Sequence, residues 1–157
     1  MSSGIEQFIG VERDLGKHTF GAEEIIAFAT KYDPQRFHVD PDAAAKSNFG
    51  ALCASGWHTT AIWMRLNVED MKVQVHAAMK RGQQPPRFGP SPGFENLKWL
   101  KPVYAGDTIR FTRTLNSIRA LQSRPGWSMM QMSSAAYNHN GDKVLAFDSA
   151  ALIALPQ

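Results

Sequence analysis

The chain has 157 residues, 43% of them hydrophobic and 20% charged, with a formal net charge of +3 and one cysteine. That length suits one domain, residues 1–157, with a real core; no run of about eighteen apolar residues reads as a membrane span. The lone Cys53 leaves no internal disulfide and fits a reducing cytoplasm, and the first seventeen residues lack the charged start and apolar stretch of a signal peptide.

In chain order, "AEEIIAFATKY" (Ala22 to Tyr32) carries Ile25, Ile26, Phe28 and Ala29 at helical spacing. Glu23 and Glu24 in its first turn and Lys31 in its last suit the helix dipole. Asp33-Pro34 stops it, because a residue before proline avoids the α region. Asp40-Pro41 reads as an N-cap and first helical position, starting a short helix through about Lys46, with Gly50 as the C-cap. From Trp57 the sequence predicts a long buried helix, capped by Ser55 and with Gly56 in its first turn. "QQPPRFGPSPG" reads as a loop. "ENLKWLKPV", "TIRFTRTLNSI", "WSMMQMSSAAY" and "VLAFDSAALIAL" follow as strands, the last two joined by a turn at Asn140-Gly141. Helices first and an antiparallel meander after is an α+β order, with a sheet available to pack on the long helix.

Asp33 and His38 both fall between helices, where irregular backbone exposes side chains. Together they can hold one water, the carboxylate accepting a hydrogen bond and the imidazole exchanging a proton. Gly56 opens a helix, where a free N–H and the positive dipole end can face an oxygen that gains charge, and glycine lets backbone approach a ligand closely. Each feature also has a plain structural reading: a helix stop, a packed histidine, a backbone convenience. Cys53 and His58 read as packing residues with a nucleophile and a site-lining group as their alternatives. His18, His76 and His139 are isolated, and no cluster has metal-ligand spacing. The basic residues are spread along the chain and the four Trp are scattered, so nucleic acid is not an expected partner. Lys80, Arg81 and Arg87 in "MKRGQQPPR" form either a solvated loop or a contact for an anionic small ligand such as coenzyme A.

"DPQRFHVDPDAAA", "ALCASGWHTTA" and "LKWLKPVYAGDTI", in that order, resemble the MaoC-like dehydratase family, which includes the R-specific enoyl-CoA hydratases. The family's Asp, four residues, His, x-Asp pattern with a following Ala falls on Asp33, His38, Asp40 and Ala44. Its helix-opening glycine falls on Gly56, and its PV-x-x-GD stretch on Pro102, Val103, Gly106 and Asp107. The similarity runs from about Thr19 to the last strand. It implies a hot-dog fold, an antiparallel β-sheet wrapped around a long central helix. It also implies a hydratase or dehydratase of enoyl-CoA or 3-hydroxyacyl-CoA thioesters in fatty acid metabolism. Asp33 and His38 would bind the water and the Gly56 N–H would stabilise the enolate oxygen. Coenzyme A would enter only as part of the substrate, with no other cofactor and no metal, and the chain would form a homodimer or an assembly of dimers away from membranes.

Gln35 and Arg36 stand where the family often has Asn-Pro, Ser55 where it often has His, and Met64 where characterised hydratases carry a small polar residue. Gln35, Ser55 and Trp57 are expected to contact substrate, and Trp57, Trp63 and Met64 to restrict its acyl chain. Ser91 and Gly93 in "FGPSPGFE" are expected to wall the tunnel, with a turn-rich loop as the other reading. Two further functions stay open on sequence: a hot-dog thioesterase using the same water, and a non-catalytic acyl-thioester binding protein.

Overall fold

The structure, a computed structural model, describes residues 5–156. A short 3-10 turn at Ile5–Phe8 leads into β1 (Glu12–Thr19). Three helices follow, α1 (Ala22–Tyr32), α2 (Arg36–Val39) and α3 (Pro41–Ala45), and then the long α4 (Gly56–Lys80). The rest is β2 (Arg87–Phe88), β3 (Gly93–Trp99), β4 (Thr108–Ala120), β5 (Ser128–Tyr137) and β6 (Lys143–Ala154). The strands form one antiparallel sheet in the order β1-β4-β5-β6-β2, with β3 also paired to β6. The sheet curls around α4, which is the hot-dog arrangement.

The α1 boundaries match the sequence reading, and the Glu24 carboxylate closes the first turn by accepting from the Gly21 N–H at 3.1 Å. Asp40 caps α3 as expected, its Oδ1 accepting from the N–H groups of Asp42 and Ala43 at 3.0 and 3.2 Å. The helix ends one residue early, at Ala45. Lys46 is its C-cap, while Gly50 adopts its left-handed φ of 73° in the turn beyond. Two strands lie where none was expected. β2 sits inside the presumed "QQPPRFGPSPG" loop, two residues long and supported only by its pairing with β6. β1 shows a single buried residue, Leu15, and is bulged between Asp14 and Gly16, so its sequence carries no alternation to read.

The core lies between the sheet and one face of α4. Phe20, Ile25, Ile109, Phe111, Val144, Leu145 and Ile153 are fully enclosed. Trp63 anchors the helix there: its ring meets Phe147 edge-on at 4.7 Å and its Nε1–H donates to the Thr112 carbonyl at 3.1 Å. The expectation of a buried helix is met on that face only. Trp57, Met64, Val68, Val73 and Met79 are exposed, because the sheet covers one side of the helix. Among the described residues no helix is long and apolar enough to cross a membrane.

A charged clamp ties the helix to the sheet. Asp70 on α4 accepts a forked pair of bonds from Arg13 of β1, at 2.7 and 2.8 Å, and a third from Arg113 of β4 at 3.1 Å. Burial pushes the Asp70 carboxyl up, but Arg13 and Arg113 outweigh it and hold it below its ordinary value. Asp70→Ala leaves the half-buried Arg113 with only Asn67 as a side-chain acceptor, and is expected to cost about 1–2 kcal/mol in urea unfolding. Because the folded carboxyl titrates lower than the unfolded one, its contribution is complete above the unfolded value of 3.8 and is lost as pH falls through the folded value. The stability gap between wild type and variant should therefore close in acid.

Candidate active site

Asp33 follows the last residue of α1, its N–H donating to the Ala29 carbonyl at 2.8 Å, and Pro34 prevents the helix from continuing. Gln35 then starts α2, and His38 is its third residue. His38 therefore sits in a one-turn helix and is only 6% exposed, not in the irregular connector expected from sequence. The turn forms because Gln35 is extended and its carbonyl accepts the His38 N–H at 2.9 Å.

His38 is held by its backbone-facing nitrogen. Nδ1 lies 2.6 Å from the Cys53 carbonyl oxygen, which can only accept, so Nδ1 carries the proton. Nε2 then points its lone pair at Asp33 Oδ2, 3.4 Å away. A neutral imidazole nitrogen and a carboxylate oxygen are both acceptors. They face each other favourably only with a proton between them, or with a water donating one hydrogen to each.

The Asp33 carboxylate is oriented on both oxygens. Ser55 Oγ donates to Oδ2 and Gln35 Nε2 donates to Oδ1, each at 2.7 Å. Burial pushes this carboxyl up; the hydrogen bonds from Ser55 and Gln35, joined by His38 when its ring is protonated, outweigh that and hold it below its ordinary value. Gln35 and Ser55, expected as substrate contacts, are thus engaged with the carboxylate. Ser55 has a second task as the N-cap of α4, accepting from the Trp57 N–H at 3.3 Å. The Gly56 N–H in that first turn meets no acceptor among the described residues.

Gly56 has a packing reason as well. A Cβ placed there would collide with the Trp99 indole, which rests on the glycine. Trp99 also meets Trp57 edge-on at 4.9 Å and donates from Nε1 to Thr60 Oγ1 at 3.2 Å. In sequence Trp99 is one residue of the strand "ENLKWLKPV", and nothing local there shows that it reaches α4. Trp57 is half-exposed beside Gly56, whereas Trp63 belongs to the core.

Ser91 Oγ donates to the Ala150 carbonyl and accepts from the Gly93 N–H at 3.2 Å, closing the start of β3 onto β6. Neither shares a hydrogen bond with Asp33, His38 or Gly56 among the described residues. His58 is buried between Phe28, stacked at 4.5 Å, and Phe20, edge-on at 5.0 Å. Burial keeps its pKa below the ordinary value, which suits a packed neutral ring. Among the described residues no group of three or more His, Cys, Asp or Glu has the geometry of a metal site.

The family motif "PV-x-x-GD" braces this region from the other side. The Val103 carbonyl accepts the Ala54 N–H at 2.8 Å, and Ala105 donates to the Leu52 carbonyl at 3.0 Å. The Asp107 carboxylate accepts from the Tyr104 N–H at 2.9 Å and keeps the turn closed.

A model of the MaoC like domain matches residues 6–125. Among solved structures, the MaoC-like dehydratase from Rhodospirillum rubrum is 32% identical, with a TM-score of 0.77 over 95% of this chain and 94% of its own. The (R)-hydratase from A. caviae involved in PHA biosynthesis shares the fold, with a TM-score of 0.63 and 19% identity over 94% of this chain and 96% of its own. The Bacillus subtilis protein YdeM is 30% identical over 87 residues, which are 55% of this chain and 54% of YdeM, so the match spans about half of that relative.

Cys53 lies beside the dyad, its Sγ 3.7 Å from His38 Nδ1, but burial and the Asp33 charge push the thiol up to about 11. At pH 8 only about a thousandth of it is ionised, against about a quarter for an ordinary cysteine. Alkylation of the folded protein by iodoacetamide should be at least about a hundredfold slower than that of a free cysteine. Modification at the free-thiol rate would show that this environment has been misread.

Proposed function

The chain belongs to the MaoC-like domain family, and from that premise we propose that it is a hydro-lyase acting on enoyl-CoA or 3-hydroxyacyl-CoA thioesters, with Asp33 and His38 activating one water. The observation that carries this reading is the facing pair of acceptors, His38 Nε2 and Asp33 Oδ2, with Nδ1 already committed to the Cys53 carbonyl. A water that bridges the two, set beside the line joining them because 3.4 Å leaves no room on it, donates one hydrogen to each and keeps a lone pair free to attack.

In hydration the water oxygen bonds to the β-carbon of the enoyl group and its proton passes to His38 Nε2. Asp33, held ionised, orients the water and stabilises the imidazolium. Negative charge moves to the thioester oxygen, where the free Gly56 N–H and the amino-terminal end of α4 oppose it. The proton returns from Nε2 to the α-carbon, so none is gained or lost; dehydration runs the same steps backwards. Ser55 and Gln35 act through Asp33 as positioning residues. A thioesterase would send the same water to the thioester carbon and release free thiol.

The reading is tested by incubating the protein with a series of enoyl-CoA esters while following both the conjugated double bond and thiol release. Loss of the double bond without thiol is expected. Asp33→Asn and His38→Ala should each lower turnover about a hundredfold to ten-thousandfold and change thioester affinity far less. The double variant should lose less than the product of the two, since both groups serve one water. His38→Ala also strips the Cys53 carbonyl of its donor, at a cost of about 1–3 kcal/mol, so circular dichroism must first show the variant folded. Wild-type turnover in a folded variant would remove that residue from the mechanism.

A homodimer, or an assembly of dimers, is part of the same proposal. β1 and the β2–β3 side leave open sheet edges, and Met64, Val68 and Met79 form an apolar strip along the outward face of α4. Light scattering should report at least twice the 17.4 kDa chain mass, and Val68→Asp should shift the protein towards monomer. A wild-type monomer at working concentration would end this part of the proposal.

A further inference from the structure

Trp99 is placed by an irregularity in its strand. The pairing of β3 with β6 shifts between Glu95 and Lys98, where Asn96 takes a φ of 54° and its side chain donates to Asp148 Oδ2 at 3.0 Å. A one-residue shift exchanges the faces of the residues that follow, and Trp99 arrives against the first turn of α4. There it touches Gly56, Trp57 and Thr60. Its orientation is set by Thr60, whose hydroxyl donates to the Gly56 carbonyl at 2.9 Å and accepts from the indole N–H.

A cavity of about 230 Å³ lies between α4 and β3, lined by Trp57, Thr60, Ala61 and Met64 from the helix and by Phe94 and Leu97 from the strand side. Its apolar lining suits an aliphatic chain. Trp57 and Thr60 belong both to this cavity and to the contacts of Trp99, while Gly56 is the neighbour of Trp99 that adjoins the dyad. The indole therefore stands at the junction of the cavity and the catalytic groups. It is 45% exposed, so it is a wall that a ligand can meet rather than a sealed core residue.

We infer that Trp99 is the residue that decides which acyl chains the site accepts: in its present place it admits short straight chains and closes the apolar cavity to longer ones. This rests on the acyl-thioester reading above. A chain whose carbonyl oxygen accepts from the Gly56 N–H has to pass the indole to reach the space between Met64 and Phe94. Removing the ring joins the two spaces, and the added methylenes of a longer chain then leave water for an apolar lining.

Butyryl-CoA and octanoyl-CoA, which have no double bond to hydrate, serve as probes in calorimetric titrations of the full chain. Compared with wild type, Trp99→Ala should raise the affinity for octanoyl-CoA relative to butyryl-CoA by about tenfold or more. Trp99→Phe, which keeps most of the ring, should move that ratio by less than about threefold. Trp99→Leu keeps an apolar side chain against Gly56 and should follow Trp99→Ala, so it decides the matter if the alanine variant does not fold. An unchanged ratio in folded Trp99→Ala or Trp99→Leu overturns the inference. If short enoyl-CoA esters are still hydrated, that result removes only the role of Trp99. If wild type neither binds nor hydrates any of these thioesters, the hydro-lyase reading falls with it.

Discussion

The hydrogen bond from His38 Nδ1 to the Cys53 carbonyl is the constraint on which the site depends. It fixes the imidazole tautomer and turns Nε2 towards Asp33. It also pins the extended segment Leu52–Ser55, which the Val103 carbonyl holds from the opposite side through Ala54. That segment feeds α4, so the start of the helix is located by the same tie. Ser55 completes the loop of constraints by bonding Asp33 and capping α4 with one hydroxyl. Three stretches distant in sequence, around residues 33–38, 52–56 and 102–107, are thereby joined by one set of hydrogen bonds.

The Asp33 carboxylate works on its neighbours in opposite directions. Two donors, joined by the imidazole when it is protonated, keep it ionised against the burial that would neutralise it. The same negative charge adds to burial in suppressing the Cys53 thiolate. The nearest nucleophile by chemical type is thus kept in its unreactive thiol form. His58, in the first turn of α4, is treated differently again: it lies between two phenylalanine rings and burial favours its neutral form.

The central helix has two faces with separate work. One meets the sheet through Ile62, Trp63 and Leu66 and is locked by the Asp70 clamp further along. The other carries Trp57, Thr60 and Met64 past Trp99 and into the apolar cavity.

What could be read from the sequence was whatever is enforced by neighbours along the chain. The α1 stop at Asp33-Pro34, the Asp40 cap, the Ser55 cap and the Asn140-Gly141 hairpin all rest on backbone geometry and hydrogen bonds within a few residues, and all are where the residues place them. The ordered motifs around Asp33, His38, Gly56 and Pro102 marked the family for the same reason: their spacing is a property of the chain. What only the tertiary structure decided depends on contacts between distant segments. β1 exists because β4 offers it a partner, although Leu15 is its one buried side chain. His38 is buried in a helical turn because the Cys53 carbonyl lies fifteen residues on. Gln35 and Ser55 turn to Asp33 because α2 and α4 begin on either side of it, and Trp99 reaches Gly56 because a bulge against β6 rotates its strand. Such long-range pairings leave no periodicity or turn residue behind them, so they become visible only when the chain has closed on itself.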